Sequence, residues 1–218
     1  MEEYWNALVA KFEKITDRLG MPIDDEIFEV VVALNALNIT TVMSCGGHID
    51  ERGLIMPWVY ISSPDPALEE LDEESHRLAK EARILSRVVD DTSREDKERR
   101  KEAQRALDEK HLELRRNQRK ERAIQSVERE KLIPYLSQFY KDRYVPLDCR
   151  LILNIRADGH TRLENQAAGD FYVFSDLETQ QRKLNECREE FSEFGKFLKA
   201  IYFSKEPSIK LMPSQCRF

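Results

Sequence analysis

Ser63 to Leu85 reads SPDPALEELDEESHRLAKEARIL, and this stretch decides the architecture. Asp65 followed by Pro66 is a helix start: the carboxylate accepts from first-turn amides, and a proline at the first helical position lacks only an N–H that would be unpaired anyway. Leu68, Leu71, Ser75, Leu78, Ala82, Leu85 and Val89 then recur at alternating spacings of three and four, which marks one side of a helix as a coiled-coil seam.

The helical character outlasts this seam. No glycine falls between Gly53 and Gly159 and no proline between Pro66 and Pro134, so nothing forces the chain out of helix. Asp90-Asp91-Thr92-Ser93 is the one interruption. Four residues of low helix propensity, with Ser93 and Asp96 resembling a capping box, predict a turn and a second helix. Asp65–Asp91 carries nine acidic and four basic residues, whereas Arg94–Lys131 carries ten acidic and fourteen basic, so net charges of -5 and +4 favour folding the two as an antiparallel hairpin. Leu132, Ile133, Leu136, Phe139 and Tyr140 restore apolar character across Pro134, where a kink or a new short helix is expected.

On the N-terminal side, Tyr4 or Trp5, Leu8, Phe12, Ile15 and Leu19 predict an amphipathic helix stopped by Gly20. Asp24 is placed to cap a second helix reaching about Leu37, apolar on nearly every side and therefore buried, with Asn38 as its stop. Ile39–Ser44 and Met56–Ser62 read as strands. On the C-terminal side, Arg150–Arg156 and Thr161–Asn165 flank Asp158-Gly159 as a hairpin, and Phe171–Phe174 offers another strand. Ser175-Asp176-Leu177-Glu178 opens a final amphipathic helix to about Phe203.

These elements give an α+β fold: a small mixed sheet packed by helices, with a long inserted helical hairpin, a coiled-coil arm. The expected boundaries are a discontinuous body of residues 1–63 and 144–203, an arm of 64–143, and a flexible tail of 204–218. The chain is 35% charged but 41% hydrophobic, with a mean hydropathy of -0.61, so apolar and charged residues must be segregated. No apolar run is long enough to span a bilayer, and the acidic start shows no secretory pattern. The expectation is a cytoplasmic protein without a membrane partner. Cys45, Cys149, Cys187 and Cys216 lie far apart, as reduced thiols do. A net charge of -6 and a pI near 5.5 make nucleic acid the less favoured partner, because acidic residues interleave the basic clusters.

The densest cluster of chemically capable residues is Ser44-Cys45-Gly46-Gly47-His48, where a strand runs into a glycine loop. Successive amides at Gly46 and Gly47 are of the kind that converge on an anion, with Ser44 and His48 as donors at its edge. The competing reading is a tight turn beside a buried thiol. Cysteine-protease-like chemistry requires His48 or His160 within reach of Cys45, and a lone CxxH spacing is a poor metal signature, so no metal is assigned. The hairpin adds His160, Arg162 and Gln166, with Asn154, Arg156 and Glu164 near the same turn, a set able to bind a carboxylate or phosphate through arginine. Gln166 precedes the small residues Ala167-Ala168-Gly169, which allow close approach to the backbone. Trp58 is either core or a surface on which a ligand ring stacks.

Thr41, Ser44, Cys45, Gly47 and Ile49, followed by Trp58, Ser62 and Asp65-Pro66, resemble a distant version of the wybutosine-pathway tRNA N4-methyltransferase family. Val42, Met43, Gly46, His48 and Ser63 depart from that pattern. The resemblance implies S-adenosylmethionine and a tRNA substrate. The same loop with Pro57-Trp58-Val59, and later Arg162-Leu163 and Gln166-Ala167, is also similar to uncharacterised bacterial proteins with an SCxGH…PWV motif. Two functions are therefore carried forward. One is a ligand-binding or assembly protein with a small polar or anionic ligand at the SCGGH loop, and an arm for contacts with a protein partner or with itself. The alternative is an S-adenosylmethionine-dependent nucleotide- or RNA-modifying enzyme using that loop as a cofactor cradle. Whether the chain catalyses a reaction, and with what cofactor, is left open by the sequence.

Overall fold

The computed structural model describes residues 1–17, 19–51, 53–91, 96–156, 159–166, 172 and 174–204. It is an α+β structure that divides into two units, 1–62 with 128–156 and 160–218, and 63–127 with 157–159.

In the first unit, α1 (Glu2–Phe12) is shorter than its apolar spacing predicts. The Asp17 carboxylate accepts from the amides of Leu19 and Met21 and turns the chain, leaving Ile15 and Leu19 exposed. α2 (Asp25–Ala36) is buried on nearly all sides, as a helix without a polar face must be. It ends where Asn38 takes a left-handed φ of 59°.

Four strands follow in the order β1 (Thr41–Cys45), β4 (Trp58–Ile61), β6 (Thr161–Asn165) and β5 (Leu151–Ile155), and every pairing among them is antiparallel. The sheet was expected to be mixed, but consecutive strands here turn back on their neighbours. Between β1 and β4 lies a small hairpin that the sequence reads only as loop, β2 (His48–Asp50) with β3 (Gly53–Ile55). The further strand expected at Phe171–Phe174 falls partly outside the described residues, and Phe174 lies in a turn.

α5 (Leu177–Phe203) begins at Asp176, whose carboxylate accepts from the Thr179 amide. Its Phe191, Phe194 and Leu198 join Ile27, Val30 and Leu34 of α2 behind the sheet, where Val59, Ile61, Leu151 and Leu163 point inward. Phe191 and Phe194 are wholly buried, each stabilising the fold by about 1.5–3 kcal/mol. Leu132 and Phe139 belong to the same core, so the chain after Glu128 is part of this unit and not of the arm as expected. These two come from the end of a long helix, α4 (Lys97–Phe139), which runs on through Pro134 instead of breaking there.

The second unit is a helical hairpin of α3 (Ala67–Asp91) and the N-terminal part of α4. Residues 92–95, on which the expected turn and Ser93 cap fall, lie outside the described residues. Ala82 and Val89 pack with Ala103 and Leu107, Ser75 Oγ donates to Glu121 Oε1 at 2.6 Å, and Lys110 Nζ lies 3.2 Å from Glu81 Oε2. The two helices are thus antiparallel, with their seam closed within the chain. Among the described residues no helix is long and apolar enough to cross a membrane.

Candidate functional site

Side chains directly opposite one another in a sheet share a face. The register places Cys45, Trp58, Glu164 and Ile152 in one row, and Met43, Tyr60, Arg162 and Asn154 in the next. Both rows lie on the face turned away from α2 and α5, because the intervening row of Val59 and Leu163 is the buried one. Ser44 is in register with Val59 and so stands on the opposite face from Cys45.

Arg162 is the centre of the outer face. Its guanidinium lies 4.7 Å from the Trp58 ring centroid and 5.9 Å from that of Tyr60, both cation–π distances. The two rings meet edge to face at 5.0 Å, and His160 adds an edge contact to Tyr60 at 6.2 Å. Glu164, 6% exposed, accepts from Asn154 Nδ2 at 2.6 Å. Its other oxygen is 2.8 Å from Arg162 Nε, yet that buried Nε makes no hydrogen bond among the described residues. Glu164 therefore balances the charge of Arg162 and fixes its guanidinium in place. Aromatic planes beside a fixed cation suit a flat molecule bearing a carboxylate or phosphate.

The glycine loop is organised differently from its sequence reading. The Gly46 amide donates to Asp24 Oδ2 and the Gly47 amide faces Cys45 Sγ at 3.4 Å, so both donors expected to cradle an external anion are engaged within the chain. Arg188 Nε and Nη2 donate to the carbonyls of Gly46 and Gly47 at 2.9 and 2.7 Å, while its Nη1 pairs with Glu26 at 2.9 Å. Gly47 has a φ of 78°, and a Cβ there would sit 2.7 Å from Leu184 Cδ1 and 2.8 Å from the Ile55 carbonyl. At Gly46 a Cβ would lie 2.8 Å from Asp24 Cβ. These glycines let the loop pack closely against its neighbours.

What the loop positions is a thiol. Cys45 Sγ is 3.7 Å from His48 Nδ1, and His48 Nε2 is 3.4 Å from Asp50 Oδ2. Burial pushes the Cys45 thiol above its ordinary range and the Asp24 charge adds to this, against the Gly47 amide and the positive charges of Arg162 and Arg188. The resting group is therefore a neutral thiol. Among the described residues no three His, Cys, Asp or Glu side chains are grouped to hold a metal ion.

Cys45, Trp58, His160 and Arg162 are thus brought together on or beside one face, with His48 joined through Cys45. Gln166 lies past the end of β6, exposed, its amide donating to the Arg150 carbonyl at 2.7 Å. The small residues after it are outside the described residues. Sequence reasoning missed Tyr60, although strand alternation places it two residues from Trp58 on the same face. It also missed Asp24 and Arg188 as partners of the loop, for which separations of 22 and 142 residues leave no local signal. In comparisons with known proteins, no family model, no curated protein and no solved structure matches the chain.

Proposed function

We propose that the chain is a cytoplasmic ligand-binding and assembly protein whose body holds a small, flat, anionic molecule on the outer face of its sheet. The observation that carries this reading is Arg162, laid over Trp58 and Tyr60 and held there by Glu164 at 2.8 Å. A carboxylate or phosphate meeting the edge of that guanidinium gains charge-assisted hydrogen bonds, and the ligand's plane gains contact with the rings. His160 and the Cys45–His48 pair border the same region.

The alternative, an S-adenosylmethionine-dependent nucleotide- or RNA-modifying enzyme, draws on one observation: a thiol, an imidazole and a carboxylate in sequence beside this face. Calorimetry of the full chain with a panel of aromatic carboxylates, nucleoside monophosphates and S-adenosylmethionine separates the readings. Binding of one panel member, weakened about tenfold or more by Arg162→Met and by Trp58→Leu, is the expected result. Affinity untouched by either substitution would remove the site. Binding of S-adenosylmethionine alone, lost in Cys45→Ala/His48→Ala, would favour the enzyme.

A further inference from the structure

Within the arm, charges fall into two different patterns. On α3, Arg77 bridges Glu74 and Glu81 at 2.6 and 2.9 Å, which is how an exposed charged helix ordinarily relieves itself. On α4, Arg115 to Arg122 reads RRNQRKER, and all five cations, Arg115, Arg116, Arg119, Lys120 and Arg122, are exposed. No carboxylate among the described residues lies within ion-pair distance of any of them.

The reason is in the spacing. The positions three and four residues either side of Arg119 are Arg115, Arg116, Arg122 and Ala123, so its helical neighbours are other cations. Arg115 and Arg122 likewise have no acidic residue at those spacings. Like charges at these separations destabilise a helix. Of the arm carboxylates near these cations, Glu113 is paired to Lys110 at 3.0 Å, Glu121 accepts from Ser75 at 2.6 Å and Glu74 is paired to Arg77. The repulsion is therefore left in place.

Lys97 and Lys101 extend the pattern. They lie eighteen residues before Arg115 and Arg119 respectively, five full turns, and so on the same side of α4 about 27 Å away at 1.5 Å rise per residue, with the exposed Asp108 between them on that side. A line of that length outruns any single small anion. Between Lys97 and Arg122 the one large apolar side chain exposed on α4 is Leu112. A protein interface needs an apolar centre, which this surface lacks, whereas a phosphate backbone is held chiefly by charge.

We propose that the outer face of α4, centred on Arg115, Arg119 and Arg122, binds the phosphate backbone of nucleic acid. It does so without base-reading groups, and independently of the ligand site on the body. Most of its cations are arginines, whose guanidinium fork matches phosphate oxygens. The acidic remainder of the chain confines the attraction to this face.

The test is fluorescence anisotropy of the full chain with labelled mixed-sequence probes, single-stranded RNA and duplex DNA, each of about 20 nucleotides or base pairs, at about 50 and 200 mM salt. Binding of at least one probe is expected, weakened about tenfold or more by the higher salt. Arg115→Gln/Arg119→Gln/Arg122→Gln should weaken it about tenfold or more again, with helicity by circular dichroism unchanged and melting no lower, since repulsion has been removed. Arg83→Gln/Arg87→Gln on α3 should leave affinity unaltered. Absence of binding at low salt, or equal affinity in the triple variant, would overturn the proposal. So would displacement by polyglutamate as effective as by unlabelled RNA, which would assign the face to an acidic protein segment.

Discussion

Asp24 stands at the N-cap of α2, yet its carboxylate accepts no hydrogen bond from that helix and instead receives the amide of Gly46, 22 residues later. A residue read as a local cap thus ties the start of a buried helix to the loop that carries Cys45. Arg188 of α5 holds the same loop through its carbonyls, so α2 and α5 converge on two glycines.

Removing that acceptor should therefore damage the loop more than the helix. Asp24→Ala leaves a buried amide unpaired and is expected to cost about 1–3 kcal/mol in urea unfolding, while Asp24→Asn, which keeps an acceptor oxygen, costs less. Faster alkylation of Cys45 in Asp24→Ala, with α2 helicity retained, would locate the damage. Loss of helicity instead would mean that the capping position, and not the loop bond, dominates.

Gly47 offers a second and steeper test. A side chain there meets both a left-handed backbone and the atoms of Leu184 and Ile55, so Gly47→Ala should destabilise the body by about 2 kcal/mol or more. The α3–α4 hairpin shares none of these contacts. A melting profile in which only the body transition moves is the expected outcome.

The parts of the fold that were legible in the sequence rest on local pattern. The apolar girdle of α2, the cap and stripe of α5, and the glycine-free run through α3 and α4 all repeat at helical spacing, and periodicity reports burial directly. Where periodicity failed, a side chain overrode it. The apolar spacing continues to Leu19, but Asp17 captures two amides and ends the regularity, leaving Leu19 86% exposed. The candidate site was half visible. Trp58 and Arg162 are each conspicuous alone, but their stacking depends on the register of β4 against β6, which joins strands about a hundred residues apart and is written in no local pattern.

Acid sensitivity should concentrate where α5 meets the short 3-10 turn Leu147–Cys149. Burial works against ionisation of Asp148, but hydrogen bonds from Lys183 and Tyr172 outweigh it and hold the carboxyl below its ordinary 3.8. Lys183 likewise holds Glu186 below 4.5. Groups depressed in the folded state contribute stability above their unfolded values and lose it as pH falls through the folded ones. The urea midpoint should therefore be level from neutrality to about pH 5 and fall below about pH 4. Lys183→Met should lower the plateau and make that acid limb shallower; a limb of unchanged steepness would place the titration elsewhere.

Thiol reactivity distinguishes binding from catalysis at the loop. Burial pushes Cys149 up to about 11 and Cys187 higher still, and both are buried, whereas Cys45 is half-buried. In a Cys216→Ser background, iodoacetamide at about pH 8 should label Cys45 first, with Cys149 and Cys187 at least about tenfold slower until the chain unfolds, as read by peptide mass spectrometry. The effect of His48→Ala then decides the role of the imidazole. If Cys45 rests as a neutral thiol that His48 merely touches, its labelling rate should change by less than about threefold. A drop of tenfold or more would show His48 activating the sulfur, making Cys45 a nucleophile beside the ligand-binding face.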